Sequence, residues 1–323
     1  MFPGLRCLGV CALILVNATI RADEPVTAIA FAPGGEQVLI GSQRGIEIQS
    51  WPGLAGVESL RTELINVHDL QFSPDGKQLL AAGGSPAESG EVEVWSWPER
   101  QLLRKLADHS DLVYRVSWSP DGTRWASCGG DALCFVYSTE KGEERVRYDG
   151  HSRPVLSIRW LDQHTLVSVG LDQTVRHWDS ELGTHLRTLD NHLNGVNDIA
   201  IHPLVENQGS DPKKHVIATV GEDQTVRLWQ PRIGRLMRFV RLDSVPRCVI
   251  WSADATGLLV GCNDGRVRII DWEKMESTTE IEGGVGRVFE LALDPKTNLL
   301  LVAGEMGCRK HLLNSKPNSV SGR

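Results

Sequence analysis

Short runs of alternating apolar and polar residues follow one another along most of the chain, separated by polar turns. Residues 155–160 (VLSIRW) alternate in this way, and the apolar run 166–169 (LVSV) follows after a turn. A period of two residues predicts strands with one buried face, and short apolar runs between turns predict strands buried on both faces. The pattern therefore predicts an all-β protein.

The polar turn itself recurs at a nearly constant interval. It includes residues 33, 74, 120, 162, 203, 253 and 295, which are about 41 residues apart except across two longer intervals. Each long interval contains an insertion, residues 85–90 in one and residues 206–214 in the other. A period of about 40 residues is typical of repeat proteins in which each unit cannot bury its apolar surface alone. The sequence thus predicts seven repeats.

A third run completes the signature of each repeat. It reads DQTVRHWD over residues 172–179 and DQTVRLWQ over residues 223–230. These stretches resemble the WD40-repeat family, whose unit forms a four-stranded propeller blade. The resemblance covers residues 26 to about 306 and implies an all-β, seven-bladed WD40-type β-propeller. Three repeats depart from the family at the position where it has tryptophan; they carry Gln49, Tyr137 and Ile270.

Both ends of the chain differ from the repeats. Residues 1–22 combine Arg6 with a short apolar run and a polar stretch, which predicts a secretory signal peptide rather than a transmembrane helix. We expect an exported product, periplasmic or extracellular, with the propeller over residues 23–307. The repeat pattern stops after Gly307, so we expect an incomplete last blade of about two strands with exposed edges. Residues 308–323 are expected to form a polar, disordered tail.

Charge and cysteine content narrow the function further. The balance of 34 basic and 41 acidic residues gives a net charge of −7, which argues against binding to phosphate backbones. We expect no nucleic-acid partner and, after signal cleavage, no membrane partner. Cys128 with Cys134, and Cys248 with Cys262, could each face one another across a hairpin, but directly opposed strand positions strain a disulfide. We expect mostly free, buried thiols.

Histidine, hydroxyl and aspartate residues recur beside an aromatic residue in three consecutive repeats. A hydrolase would use such a triad, but a catalytic triad is normally built once. The family resemblance implies instead a structural tetrad, a chain of hydrogen bonds that satisfies buried polar groups. The predicted members are His109, Ser127, Asp131 and Tyr137 in repeat three, His151, Ser168, Asp172 and Trp178 in repeat four, and His192, Thr219, Asp223 and Trp229 in repeat five.

Alignment of the first strand of each repeat produces a column of residues that should line a central channel. The charged members, which are the candidate channel residues, are Asp69, Arg115, Asp198 and Glu290. A metal site needs carboxylates or imidazoles that converge without an interposed cation, and Arg115 is such a cation. We therefore expect a wet, charge-balanced channel with no metal, no cofactor and no catalytic residues.

A basic run lies on the predicted outer strand of repeat five. Arg232, Arg235, Arg238 and Arg241 follow one another at intervals of three, so alternation on a strand places them on both faces. Charge on an edge strand prevents unwanted pairing between sheets. The other interpretation is contact with an acidic protein or polymer, for which Arg235 and Arg238 are the candidate residues.

Two functional hypotheses follow from the sequence. The first is a non-enzymatic exported scaffold that mediates protein–protein interaction. The resemblance to WD40 proteins implies a scaffold, and the diagnostic residues of the sequence are structural. The alternative is an extracytoplasmic propeller enzyme or small-ligand binder that uses the central channel. A deep pocket with convergent carboxylates or imidazoles would favour the alternative.

Overall fold

A computed structural model describes most of the chain, namely residues 24–56, 58–140, 145–203, 215–294 and 296–313. The predicted signal peptide over residues 1–22 and the predicted insertion over residues 206–214 lie outside these ranges, as do residues 314–323 of the predicted tail. Within the described residues, no helix has both the length and the apolar character needed to cross a membrane.

Seven antiparallel sheets follow one another along the chain, and each is one blade built from consecutive strands. The first three blades contain β1 (Val26–Phe31), β2 (Gln37–Ser42), β3 (Gly45–Ser50), β4 (Glu58–Leu60), β5 (Asp69–Phe72), β6 (Gln78–Ser85), β7 (Ser89–Ser96), β8 (Leu102–His109), β9 (Val113–Trp118), β10 (Arg124–Gly129), β11 (Cys134–Ser138) and β12 (Arg145–Tyr148). The predicted insertion at residues 85–90 lengthens the β6–β7 hairpin.

The remaining blades continue the same order. They contain β13 (Val155–Trp160), β14 (Thr165–Gly170), β15 (Val175–Asp179), β16 (His185–Leu189), β17 (Val196–Ile201), β18 (Ile217–Gly221), β19 (Thr225–Gln230), β20 (Arg235–Arg241), β21 (Pro246–Trp251), β22 (Gly257–Cys262), β23 (Arg266–Asp271), β24 (Glu276–Glu282), β25 (Val288–Asp294), β26 (Leu299–Gly304) and β27 (Gly307–Leu312), with a short 3-10 helix over Pro231–Ile233. The prediction of an all-β, seven-bladed propeller is confirmed.

The first strand of each blade is innermost, and it contacts the first strands of the two neighbouring blades around a ring. Apolar side chains of adjacent blades interdigitate between the sheets, so each core cluster draws residues from two blades. This arrangement follows from the strand pattern, because a blade with two apolar faces is shielded from water only when it lies between two others.

The recurring turn joins the first and second strands of a blade. In blade two, the Ser73 hydroxyl donates to the Asp75 carboxylate at 2.7 Å, and the Lys77 amide donates to the same oxygen at 3.0 Å. Gly76 has a φ of 71°, a left-handed conformation that costs glycine little. Short polar side chains that bind their own backbone therefore fix this turn locally.

The last blade corrects two predictions. It has three strands rather than about two, because β27 pairs with β26 along its full length. Residues 308–312 therefore belong to a strand rather than to the predicted tail, and Cys308 is buried. The physical reason is that β27 begins with two buried residues, Gly307 and Cys308, and that Cys308 packs in an apolar cluster shared with blade one.

Blade one closes the ring by packing rather than by a shared strand. Val26 and Ile40 of blade one share an apolar cluster with Leu301 and Cys308 of blade seven. The Trp51 indole N–H donates to the Asp294 carboxylate at 2.8 Å across the same boundary. The last blade is thus incomplete, as predicted, and no strand of blade one completes it within the described residues.

All five cysteines of the described residues are free and buried; they are Cys128, Cys134, Cys248, Cys262 and Cys308. Cys128 and Cys134 are directly opposed between β10 and β11. Burial raises the pKa of the Cys262 thiol to about 11, so this group is a poor nucleophile at neutral pH.

Candidate functional site

Blade five contains the complete predicted hydrogen-bond chain. His192 Nδ1 lies 3.1 Å from Asp223 Oδ2, and its Nε2 lies 2.8 Å from Thr219 Oγ1. The Trp229 indole N–H donates to the same Thr219 oxygen at 2.8 Å. Since the carboxylate can only accept, we assign the imidazole proton to Nδ1, and the Thr219 hydroxyl then donates to Nε2. The last link of the chain joins β19 to β18.

Blade four repeats the chain without its last link. His151 lies 2.9 Å from Asp172 and 2.7 Å from Ser168, as in blade five. The Trp178 indole N–H is buried and has no hydrogen-bond partner among the described residues. Its ring instead stacks on Tyr148, with 4.6 Å between ring centroids. The prediction of a link from Trp178 to Ser168 is therefore wrong, and ring stacking takes its place.

Blade three differs at the same end of the network. His109 binds Asp131 at 3.0 Å and Ser127 at 2.8 Å. The Tyr137 hydroxyl donates to Asp108 at 3.1 Å and also interacts with Ser127. The phenol extends further than an indole N–H, which explains why it contacts a residue beyond the hydroxyl.

The three imidazoles are closed to solvent, and their residues are only 2–5% exposed. Burial lowers the pKa of His151 and of His192, so both are neutral at pH 7. Burial alone would raise the pKa of Asp223, but hydrogen bonds from His192 and Thr225 bring it below its usual range. No substrate could contact these groups without opening the blades, which favours the interpretation that they stabilise the fold.

Two blades place other charged residues where the tetrad would be. In blade two, the buried Glu93 carboxylate accepts the Trp95 indole N–H at 3.0 Å and the Thr62 hydroxyl at 2.6 Å. In blade six, the buried Arg268 guanidinium binds Asp264 at 2.7 Å. Each substitution satisfies its own buried polar groups, as buried charges require.

The centre of the ring is organised by a repeated irregularity in the inner strands. In six of the seven blades, the pairing between the first and second strand shifts by one residue at the same place. Asn197, for example, is the extra residue between Val196, opposite Gly221, and Asp198, opposite Val220. A bulge re-aims side chains, so two consecutive residues can contribute to the central channel instead of one.

A cavity of about 360 Å³ lies at one mouth of the channel. Its floor includes Arg115 and Glu290, and the ring of His68 contacts that of Tyr114 with 5.4 Å between centroids. One residue from each blade forms its rim, and we call these the channel-mouth ring: Thr27, His68, Tyr114, Leu156, Asn197, Arg247 and Phe289.

The predicted channel residues meet below this ring around a single guanidinium. Arg115 lies 2.6 Å from Glu290, 3.4 Å from Asp69 and 3.9 Å from Asp198. Asp69 also accepts the Val116 amide of the next blade at 2.9 Å. The cluster therefore joins blades two, three, five and seven across the axis, as the alignment of first strands predicts.

Three carboxylates share the guanidinium of Arg115, and Arg159 adds a second positive charge that acts on Glu290. Burial raises the pKa of Glu290 to about 7; Arg115 opposes this shift, and Asp198 and Asp69 add to it. Burial would lower the pKa of Arg115, but Glu290 and the two aspartates raise it well above its usual value. Glu290 thus changes charge near neutral pH, whereas Arg115 keeps its proton.

The cluster does not have the geometry of a metal site. Across the described ranges, no group of three or more histidine, cysteine, aspartate or glutamate residues is arranged to hold a metal ion. The carboxylates that could converge are bound to Arg115 instead.

The basic outer strand of blade five also differs from its prediction. Arg235 pairs with Gln230 and Arg238 pairs with Leu228, because a register shift adds one residue between them. Gln230 and Leu228 are two residues apart on β19, so Arg235 and Arg238 lie on the same face. Simple alternation would have separated them. Arg241, opposite Thr225, lies on the other face.

Sequence reasoning missed the channel-mouth ring itself. Each ring residue directly precedes a member of the column that the alignment identified, as Tyr114 precedes Arg115 and Phe289 precedes Glu290. Strict alternation assigns neighbouring residues to opposite faces, and only the bulge allows both to contribute to the cavity. The same alignment shifted by one residue would have located the ring.

Comparison with known proteins matches the model of the WD domain, G-beta repeat, to residues 100–138, 142–179, 183–230 and 242–271. The THO complex subunit 3 of Arabidopsis thaliana is 33% identical over 131 residues, which are 40% of this chain and 40% of that protein. The ribosome biogenesis protein YTM1 of Coprinopsis cinerea is 28% identical over 163 residues, 49% of this chain and 34% of that protein.

A third relative is subunit I of eukaryotic translation initiation factor 3 from Neurospora crassa, 29% identical over 111 residues, 34% of this chain and 30% of that protein. The chain spans less than half the length of each of these relatives. The prediction of an exported protein is wrong by this comparison, because ribosome biogenesis and translation initiation take place inside the cell.

Each matched range contains the first three strands of one blade, from blade three to blade six, and the first three ranges also contain the outer strand of the blade before. Blades one, two and seven have the same antiparallel strand order, although blade seven has three strands within the described residues. The recurring turn, the histidine networks and the radial packing of four-stranded sheets therefore have one explanation. The chain is a seven-bladed β-propeller, and residues 100–271 contain four WD40 repeats.

Proposed function

We propose that this protein is a non-enzymatic scaffold that binds a segment of a protein partner at the channel-mouth ring. The observation that carries the proposal is the ring itself, to which every blade contributes one side chain above a buried charge cluster. Relatives named as subunits of the THO complex and of a translation initiation factor support a role in assembly.

The chemistry of the ring suits a peptide segment. Tyr114, Phe289 and Leu156 offer aromatic and aliphatic surface, and Arg247 adds a cation. Tyrosine and arginine are residue types that dominate binding energy at protein interfaces. The Asn197 side-chain oxygen is buried and has no hydrogen-bond partner among the described residues. A backbone N–H of a bound segment would satisfy it.

The buried polar groups support a role without catalysis. The histidine networks are closed to solvent, and the carboxylates of the channel are occupied by Arg115 and by backbone amides. A general base must come within hydrogen-bond reach of a substrate proton. A scaffold needs no such group, and rigid blades with varied rim residues meet its requirements.

Affinity capture from the native source, read by quantitative mass spectrometry, tests the proposal. We expect the double variant Tyr114→Ala/Phe289→Ala to lose at least tenfold of the specifically captured partner. The control is Leu182→Ala, because Leu182 is 74% exposed and lies outside the ring. Equal capture by the wild type and the ring variant, with both variants folded, would refute the channel mouth as the contact surface.

A small-molecule site in the same cavity is the second candidate. Its volume of about 360 Å³ is within the ligand-pocket range of roughly 300–1,000 Å³. Thermal unfolding across a panel of polar metabolites is the test. A compound that raises the Tm of the wild type but not that of Asn197→Ala would favour this function over partner binding.

A further inference from the structure

A second surface lies on the outer side of the propeller, away from the channel-mouth ring. The outer strand of blade five, β20, exposes Arg235 and Arg238, and neither forms an ion pair within the described residues. Other exposed arginines, such as Arg153 and Arg187, also have no ion pair within the described residues. What distinguishes Arg235 and Arg238 is that they lie close together on one face of one strand.

The bulge in β20 is what concentrates this charge. Arg235 and Arg238 lie opposite Gln230 and Leu228, so they share a face and are separated by two positions of the neighbouring strand. Two residues of an extended strand span about 6.6 Å. An extended segment with carboxylates at alternate positions matches that separation.

A groove of about 410 Å³ continues from Arg238 toward blade six. Leu228, Met237 and Trp272 provide its apolar surface. Arg238, Glu273 and Lys274 are its charged members, two cations and one carboxylate. We call this set, together with Arg235, the blade-five groove. The groove offers a place for one bulky apolar side chain next to the two arginines.

The strand position favours an extended ligand. β20 is the last strand in the order of its sheet, so the backbone groups on its outer side have no partner strand in that sheet. Such an edge can accept an extended segment by main-chain hydrogen bonds. Charge on an edge can also serve only to prevent pairing, but that role requires neither the shared face nor the apolar groove.

We propose that the blade-five groove binds an extended acidic segment of a partner protein, with carboxylates at alternate positions on Arg235 and Arg238 and a bulky apolar side chain against Met237 and Trp272. An acidic protein segment fits better than nucleic acid. The groove offers apolar surface from Met237 and Trp272 to a side chain, and its carboxylate, Glu273, would repel a continuous phosphate backbone along the groove. This surface is separate from the channel-mouth ring.

Fluorescence anisotropy with a labelled synthetic peptide tests the proposal. The probe has aspartate at two alternate positions, followed two residues later by phenylalanine, with serine between. We expect saturable binding that weakens with added NaCl, and a loss of at least tenfold when both aspartates are replaced by asparagine. Replacement of phenylalanine by alanine should weaken binding at least threefold.

The decisive protein variants lie on one strand. Arg235→Glu/Arg238→Glu should weaken peptide binding at least tenfold. Arg241→Glu makes the same charge change on the opposite face of β20 and should stay within twofold of the wild type. Thermal unfolding verifies that each variant is folded. Met237→Ala should weaken binding of the phenylalanine peptide and leave binding of the alanine peptide unchanged.

Several results would overturn the proposal. These are absence of peptide binding to the wild type, equal loss in Arg241→Glu and the double variant, and tighter binding of a single-stranded oligonucleotide that depends on the same arginines. The ring variant Tyr114→Ala/Phe289→Ala should bind the peptide normally. That result separates this surface from the proposed channel-mouth function.

Discussion

Two buried polar regions of this propeller follow different rules. The histidine network of blade five lies within one blade, and each polar group has its own partner, from Asp223 through His192 and Thr219 to Trp229. The channel cluster brings together four blades, and three carboxylates share the single guanidinium of Arg115. The first region is satisfied locally, whereas the second depends on the closed ring.

The two regions therefore differ in how their protonation responds to pH. A satisfied network holds its protonation state over a wide pH range, because moving a proton would break a hydrogen bond. In the channel cluster, burial raises the pKa of Glu290 to about 7, and the two aspartates that share Arg115 with it add to this shift. Blades are thus held rigid by one kind of site, while the channel floor contains the group that responds to pH.

The largest expected effect comes from removing the shared cation. Arg115→Met should lower the free energy of unfolding by about 3–5 kcal/mol at pH 8, because buried carboxylates lose their counter-ion. The loss should be smaller at pH 5, where Glu290 is protonated. Urea unfolding at both pH values is the measurement. The exposed Arg235→Met is the control and should change stability by less than about 0.5 kcal/mol; equal effects of the two variants would contradict the cluster.

The next effect concerns pH dependence. The folded pKa of Glu290, about 7, exceeds its reference value of 4.5, so the folded state keeps a proton that the unfolded state releases. The group therefore lowers stability as pH rises from 4.5 to 7, and its contribution is constant above that range. Glu290→Gln removes this pH dependence. The free energy of unfolding of the variant should therefore rise by about 3 kcal/mol relative to that of the wild type between pH 4.5 and pH 8. Parallel stability curves for the two proteins would show that Glu290 has an ordinary pKa.

Disruption of a histidine network should lower the free energy of unfolding by less than the removal of Arg115. His192→Ala and His151→Ala each remove one hydrogen bond from a buried aspartate and one from a buried hydroxyl, for about 1–3 kcal/mol per variant. Fold and partner capture at the channel mouth should be unchanged, because both networks lie within the blades. Thermal melts and far-UV circular dichroism provide the measurement. A melt of His151→Ala identical to that of the wild type would rule out a stabilising role.

The smallest effect distinguishes two similar blades. Trp229→Phe removes an indole N–H that binds Thr219, whereas Trp178→Phe removes one that has no partner within the described residues. Both changes lose similar ring volume, so their difference isolates the hydrogen bond. We expect Trp229→Phe to be about 1 kcal/mol more destabilising. If chemical unfolding shows equal losses in the free energy of unfolding for the two variants, the hydrogen bond from Trp229 to Thr219 makes no net contribution to stability.

Sequence reasoning succeeded where chemistry is local and repeated. The turn around Asp75 and the His–Ser/Thr–Asp core of blades three to five depend on residues at fixed spacing within one blade. The channel column was also correct, because equivalent positions in a repeat take equivalent radial places. Asp69, Arg115, Asp198 and Glu290 meet as that reasoning requires.

It failed where neighbouring elements decide the outcome. Trp178 matches the family motif, yet its ring stacks on Tyr148 from the outer strand of the preceding blade. The third strand of blade seven was not predicted because its sequence, with Arg309 and Lys310 side by side, has no alternation of apolar and polar residues; pairing with β26 forms the strand. Exported localisation was inferred from composition at the N-terminus, and the relatives contradict it.

The order of residues by itself determined the strands, the turns, the number of blades and the identity of the buried networks, because these depend on side chains within one repeat. Only the tertiary structure decided which side chains line the channel mouth, that Arg235 and Arg238 share a face, and that burial raises the pKa of Glu290. Bulges shift the facing of whole strands, and a buried charge takes its pKa from blades that are distant in sequence.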